Sequence, residues 1–311
     1  MHSRSDSVQR LLSWCSSKQI HIDARLSIIQ DEITGGISVF NLSEETIPVS
    51  QILVTIPRRW MLSIRTCASS DSLVTWLADN GIHVPVYGHE AQLALALALY
   101  GEFLLASRSE WGGYLQSLPQ KAVPIGLFWG YKYSDDEIPE REAIDWKGNH
   151  DLRQLFINPE TGVERLTEIR GFYERVVEPF LSSSSAEVTL RGYHHAYSLV
   201  TSRAFLVDGY HGLSMVPIAD SFNHSRQNQI HLESDFDVCM ECGSVQECIH
   251  DRQGPPLVSD YRSSDSEEDE EDAVEMTTNA VIHPTHEVFN TYGETVSNFE
   301  LLINFGFQSS T

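Results

Sequence analysis

Hydrophobic positions along the chain change their period twice. Residues 37–40 and 52–56 are short β-branched runs separated by the polar, turn-prone residues 41–48, and both read as strands. Pro57 closes the second, since proline has no amide to give to a ladder. The period then lengthens. Residues 89–107 (HEAQLALALALYGEFLLAS) are dense in Ala and Leu with no proline, which predicts a helix, and residues 152–181 and 190–207 continue helical spacing. Residues 111–139, rich in aromatics, Gly and Pro, read as packed irregular structure. After Asp208 short runs return at 213–218, 230–236 and 288–292. Ser297-Asn-Phe-Glu300 then fits a capping box opening a short helix through Ile303. The pattern predicts an α+β fold: a β-rich domain interrupted by a mainly helical insertion, with no internal repeat.

Composition sharpens this in one respect. The 311 residues, 41% hydrophobic and 10% aromatic, are those of a globular protein, but the formal charge is −23. Seven of those acidic charges lie in residues 265–272, and residues 254–278 read as a solvated acidic loop, because like charges at that density do not collapse onto a core. Ser264 and Ser266 each precede an acidic residue at +3, a pattern suited to acid-directed kinases. An acidic surface disfavours nucleic acid, whose phosphates need cationic partners, and steers basic protein partners inward. No apolar run approaches the roughly 20 residues of a membrane-spanning helix, and the N-terminus lacks a signal-peptide core. The expectation is an intracellular protein, in cytoplasm or nucleus, without a membrane partner. Disulfides are then not expected, and Cys15 and Cys67 read as ordinary buried or half-buried thiols.

Several familiar chemistries have no support. There is no Gly-x-Ser-x-Gly around a serine, no Walker A loop and no Gly-x-Gly-x-x-Gly, which argues against a hydrolase, an NTPase and a Rossmann-type enzyme. Cys239, Cys242, Cys248 and His250 form C-x2-C-G followed by C-x-H, a spacing suited to tetrahedral zinc; free thiols on an exposed hairpin are the alternative. His283 and His286 read as loop histidines, and His194-His195 as a surface or packed pair.

An Asn223-His224 pair means little alone. In order with it stand Tyr292-Gly293, Ser297-Asn298 and Phe305-Gly306-Phe307, preceded by Thr34-Gly35-Gly36-Ile37-Ser38-Val39-Phe40 and Ile56-Pro57. From roughly Ile33 to Gln308 the chain thereby resembles the SET-domain protein methyltransferases. The branch it resembles is that of the Rubisco large-subunit and fungal ribosomal-protein lysine methyltransferases. The resemblance implies a β-rich SET fold with a knotted-type core over residues 20–308. It divides into N-terminal strands (20–65), a helical insertion (66–207) and a C-terminal half (208–308), with no substrate-binding domain after it. It also implies S-adenosylmethionine, held by Gly36, Ile37, Ser38, Asn223, His224 and Phe307 beside Phe305-Gly306. Glycine at such a turn permits close ligand approach, and an Asn amide can both donate and accept. Arg203 matches an arginine near the cofactor or the substrate entrance, and Asp220 is expected to orient the Asn-His turn. Tyr292 is the expected catalytic residue.

The implied activity is N-methylation of a lysine in a basic, non-histone, ribosomal or translation-associated protein. Departures stand at Thr34, in a glycine position, and at Phe305, where relatives commonly carry tyrosine. They keep a non-catalytic SET scaffold open, and another acceptor such as histidine is open too. A zinc-dependent adaptor is the third reading.

Overall fold

The computed structural model describes residues 5–31, 35–129, 131, 154–182, 187–250 and 272–309. Its main sheet is built from strands β1 (His21–Ile22), β4 (Ile52–Pro57), β9 (Ala273–Thr278) and β8 (Ile230–Glu233), in that spatial order and antiparallel throughout. β4 presents apolar side chains to both faces, with Leu53, Val54 and Ile56 fully buried, so it is a central strand. β9 pairs with it from Ile52↔Thr277 to Pro57↔Ala273 and buries Val274 and Met276. β2 (Leu26–Gln30) and β3 (Ile37–Asn41) form a hairpin, and β5 (Phe205–Leu206) and β6 (Leu213–Ser214) a second. The last pair, β7 (Asn223–His224) with β10 (Phe289–Asn290), is parallel and joins segments more than sixty residues apart.

The helices pack around these small sheets. α1 (Asp6–Ser17) buries Val8, Leu11, Trp14 and Cys15, and Trp14 sits in an aromatic cluster with Trp60, Trp111 and Tyr114. α2 (Ser70–Asp79) precedes α3 (His89–Leu105), which is apolar on all sides and buried through its middle, from Leu93 to Tyr100. A helix hydrophobic all round belongs in a core. The stretch His89–Arg108, 20 residues with mean hydropathy 1.2, is by composition long and apolar enough to cross a membrane, against the sequence reading; its window is 56% buried inside this protein. It lies against α7 (Leu190–Arg203), where the Tyr193 hydroxyl donates to the Leu93 carbonyl at 3.0 Å. Between them come the short α4 (Gly112–Leu115), then α5 (Arg165–Phe172) and α6 (Glu178–Leu181), joined by a π turn. α8 (Asn298–Phe305) opens on the expected capping box: Ser297 Oγ accepts from Glu300 N–H while Glu300 returns to Ser297 N–H at 2.8 Å.

The α+β architecture with its helical insertion is the one expected, and several boundaries differ. The acidic loop expected over 254–278 does not reach Thr278: residues Ala273–Thr278 are β9, in the middle of the main sheet, and residues 251–271 lie outside the described residues, with Ser264 and Ser266. The helix expected over 190–207 ends at Arg203, where the chain turns into β5. Of the one expected over 152–181, residues 152 and 153 lie outside the described residues, Gln154 is helical, and turns separate it from the helix that begins at Arg165. The strand expected over 213–218 is limited to Leu213–Ser214, because Ile218 takes a left-handed φ of 70° and a 3-10 turn follows at Ala219–Ser221. The strands expected over 230–236 and 288–292 are trimmed to Ile230–Glu233 and Phe289–Asn290.

Candidate active site

The parallel pairing of β7 with β10 fixes the site. It sets Phe289 opposite Asn223 and Asn290 opposite His224, so Tyr292, two residues further on, comes alongside the His224 ring. The Tyr292 amide donates to His224 Nδ1 at 3.1 Å, and the two rings lie 5.2 Å apart. Because Nδ1 accepts, the imidazole proton resides on Nε2. Burial, then the Arg226 charge, holds the His224 pKa below its ordinary value and keeps the ring neutral. His224 Nε2 is buried and has no hydrogen-bond partner in the structure.

Tyr292 is held from three directions. Its hydroxyl donates to the Phe222 carbonyl at 3.2 Å, its ring stacks on Phe305 at 4.8 Å, and Phe307 meets it edge-on at 6.3 Å. Phe307 also lies 6.1 Å from His224. Burial, partly offset by Arg203, pushes the Tyr292 phenol up to about 12. At neutral pH it therefore carries its proton and serves as a hydrogen-bonding group rather than a base.

β3 reaches the same place from the other end of the chain. The amide of Asn223 donates to Ser38 Oγ at 2.8 Å and to Glu287 Oε1 at 2.7 Å. Glu287 arrives because residues 286–288 pair with β3: Asn41 N–H donates to His286 O, and Val288 N–H to Val39 O. Gly36 and Ile37 lead into the strand that carries Ser38, and Thr34 lies outside the described residues. Gly306 ends α8 in the left-handed conformation at φ 79°, and Phe305 and Phe307 on either side of it both meet the Tyr292 ring.

A cavity of about 220 Å³ opens beside Tyr292, walled by Arg203, Phe205, Asp220, Thr291, Tyr292 and Phe305 among others. Arg203, at the end of α7, donates to the Asp220 carbonyl at 2.9 Å and faces its carboxylate at 3.5 Å. The Asp220 carboxylate accepts from the Tyr114 hydroxyl at 2.8 Å and pairs with Arg203. Burial raises the Asp220 pKa, with Arg203 opposing. Aromatic walls and a protonated phenol, itself bonded to the Phe222 carbonyl, suit an aliphatic chain ending in a neutral amine.

The structure thus brings Arg203, Asp220, Tyr292 and Phe305 to one cavity, and Ser38, Asn223, His224, Gly306 and Phe307 to the cluster that adjoins Tyr292. Sequence reasoning missed Glu287 and Tyr114. Nothing local marks either, since Glu287 is one acid among 44 Asp and Glu, and Tyr114 lies in an aromatic-rich stretch. Cys239, Cys242, Cys248 and His250 also come together, in the segment after β8, and none of them lines the cavity. His194 is packed against Phe128 at 4.6 Å and His195 against Phe103 at 5.3 Å, a packed pair.

No protein-family model matches the chain. Sequence likeness is broad and shallow. An uncharacterized protein of Schizosaccharomyces pombe is 24% identical over 308 residues, covering 96% of this chain and 54% of the relative. Ribosomal lysine N-methyltransferase 3 of Saccharomyces cerevisiae is 24% identical over 362 residues, covering 97% and 62%. N-lysine methyltransferase SETD6 of Rattus norvegicus is 25% identical over 317 residues, covering 97% and 54%. The chain therefore spans little more than half the length of these relatives. Among solved structures, the SET domain of LSMT bound to methyllysine and AdoHcy superposes with a TM-score of 0.62 at 15% identity, over 99% of this chain and 58% of that one. Rubisco LSMT bound to AdoMet gives 0.58 at 16% identity, over 98% and 57%. The chain carries the SET fold, and along nearly its whole length its sequence is similar to that of SET-domain methyltransferases.

Proposed function

We propose that this chain is an S-adenosylmethionine-dependent protein-lysine N-methyltransferase acting on a basic, non-histone protein, with a ribosomal protein as the first candidate. The observation that carries the reading is that Tyr292, which with Phe305 lines the cavity, also bonds the Phe222 carbonyl and meets the His224 and Phe307 rings. Similarity to a ribosomal lysine methyltransferase and the net charge of −23 support the substrate class.

The residues present fit the cofactor. A buried His224 Nε2–H lacks an acceptor, and a bound ligand oxygen or nitrogen would satisfy it. Ser38, Asn223, His224 and Phe307 would hold the ligand beside the Tyr292 ring. S-adenosylmethionine, when bound, supplies an electrophilic methyl group on a sulfonium. The chain's own task is to deliver an uncharged amine. With a reference pKa of 10.4, holding lysine neutral at pH 7 costs about 4.6 kcal/mol. The apolar walls at Phe205 and Phe305 lower that cost by disfavouring the ammonium. The Tyr292 hydroxyl and the Phe222 carbonyl orient the amine, and solvent takes the proton.

A SET scaffold that binds protein without methyl transfer is the competing reading. It draws on Phe305 and on Asn223, whose two amide hydrogens already go to Ser38 and Glu287. Calorimetric titration with S-adenosylmethionine separates the two. The enzyme reading expects sub-millimolar affinity, weakened about tenfold by His224→Ala, the worth of one buried hydrogen bond. No binding to the intact chain would favour the scaffold.

A further inference from the structure

The segment between β8 and β9 carries a site that methyl transfer does not use. Three of the five cysteines of the chain fall within residues 239–248. The ligand atoms of Cys239, Cys242, Cys248 and His250 all lie within 4.8 Å of one another. Zn–S bonds of about 2.3 Å and Zn–N bonds of about 2.0–2.1 Å, set tetrahedrally, put neighbouring ligand atoms about 3.5–3.8 Å apart. His250 Nδ1 lies 3.6 Å from Cys239 Sγ and 3.5 Å from Cys248 Sγ.

The backbone is shaped to the same end. Gly243 N–H donates to Cys239 O at 2.7 Å, and Cys239 N–H donates to Ser244 O at 2.9 Å, which closes the turn that carries the first two thiols. Gly243 has φ 76°, and a Cβ there would meet the Tyr210 ring at 2.5 Å, so the turn sits hard against Tyr210 and His211.

We propose that these four side chains bind one zinc ion and that it acts as a structural clamp. Three thiolates and one imidazole are a soft donor set that selects zinc over magnesium or calcium, and four protein ligands leave no open position for catalysis. The surroundings give the clamp its task. Arg58 donates to the Asp235 carbonyl at 3.2 Å just before the knuckle. It also pairs with Asp272 at 2.7 Å just before β9, and with the fully buried Asp208. One guanidinium therefore ties both ends of the excursion between the adjacent strands β8 and β9. The zinc fixes the outgoing arm, residues 239–250, onto the 208–211 turn. The inference is independent of methyl transfer.

The test is metal analysis of the full chain purified under reducing conditions without chelator. About one zinc per chain is expected, and less than about 0.2 would overturn the site, as would an oxidised pair of these cysteines without metal. Cys242→Ser and His250→Ala should each lose most of the zinc, whereas His283→Ala should keep it; zinc retained in both knuckle variants overturns the assignment. Cobalt substitution of the unmutated chain needs no variant to fold. Tetrahedral d–d bands with thiolate charge transfer are expected, and an octahedral spectrum would contradict the ligand set. Hydrogen exchange after chelation should expose amides 238–250 and leave 289–309 unchanged; equal protection with and without metal removes the clamp.

Discussion

Gly306→Ala should destabilise the chain by about 2–5 kcal/mol, and the structure supplies both parts of that figure. The first is backbone strain. Gly306 closes α8 at φ 79°, ψ 13°, and an L-residue there costs about 1–2 kcal/mol. The second is contact. A Cβ would stand 2.9 Å from the Pro124 carbonyl oxygen, 3.0 Å from its carbon and 3.3 Å from Ile125 N. These are backbone atoms and cannot rotate away. Nor can the segment retreat easily: Ile125 is fully buried, and the Gly126 α-carbon faces Ile303 so closely that a Cβ there would lie 3.1 Å from the helix backbone. Overpacking of this kind adds about 1–3 kcal/mol.

Gly162→Ala is the internal control, because Gly162 has φ 70° with nothing near its missing Cβ and should show strain alone. Urea denaturation of the two variants and the parent chain measures the difference, provided the m-values agree. A Gly306→Ala loss within about 0.5 kcal/mol of that for Gly162→Ala would refute the backbone contact. Since Phe305 and Phe307 flank Gly306, the folded fraction of Gly306→Ala should also bind S-adenosylmethionine more weakly.

Other expectations concern charge. Burial holds His194 at about 4, so the folded state binds fewer protons than the unfolded one as pH falls from about 6.5 toward 4. Stability is then lost over that window, by up to about 1.4 kcal/mol per pH unit from this residue; urea midpoints across the window should fall less steeply in His194→Gln. Arg58→Ala leaves the carboxylate of the fully buried Asp208 without its guanidinium and should cost about 3–5 kcal/mol in the same assay. Glu287→Ala releases one arm of the Asn223 amide and should weaken S-adenosylmethionine about five- to tenfold in calorimetry, with a melting temperature near that of the parent.

The parts of the fold legible from sequence are those whose signal is local. The Ala/Leu density of α3, the β-branched β3 and β4, and the Ser297–Glu300 capping box each declare themselves within a few residues. β9 does not. Val274 and Met276 alternate with Glu275 as a strand should, but six residues beside an acidic run read as its continuation. α1 escaped for a similar reason, its stripe at Val8, Leu11, Trp14 and Cys15 lying among polar residues. At the site, the ordered motifs pointed to Asn223, His224, Tyr292 and Phe307 without giving their contacts. The bonds from Asn223 to Glu287 and from Tyr114 to Asp220 span 64 and 106 residues, and only the parallel β7–β10 pairing and the packing of the insertion bring such partners together.

The central claim is that Tyr292 and the Asn223-His224 pair serve one methyl-transfer site, and Tyr292→Phe tests it most directly. The substitution keeps the ring that stacks on Phe305 and removes only the hydroxyl that meets the Phe222 carbonyl, so stability should change by about 0.5–1.5 kcal/mol. Transfer of labelled methyl from S-adenosylmethionine to proteins of a cell lysate should proceed with the parent chain. With the folded variant it should fall about a hundredfold or more, the worth of a group that orients the reacting atoms. Equal labelling by both, or none by the parent at saturating S-adenosylmethionine, would contradict the account.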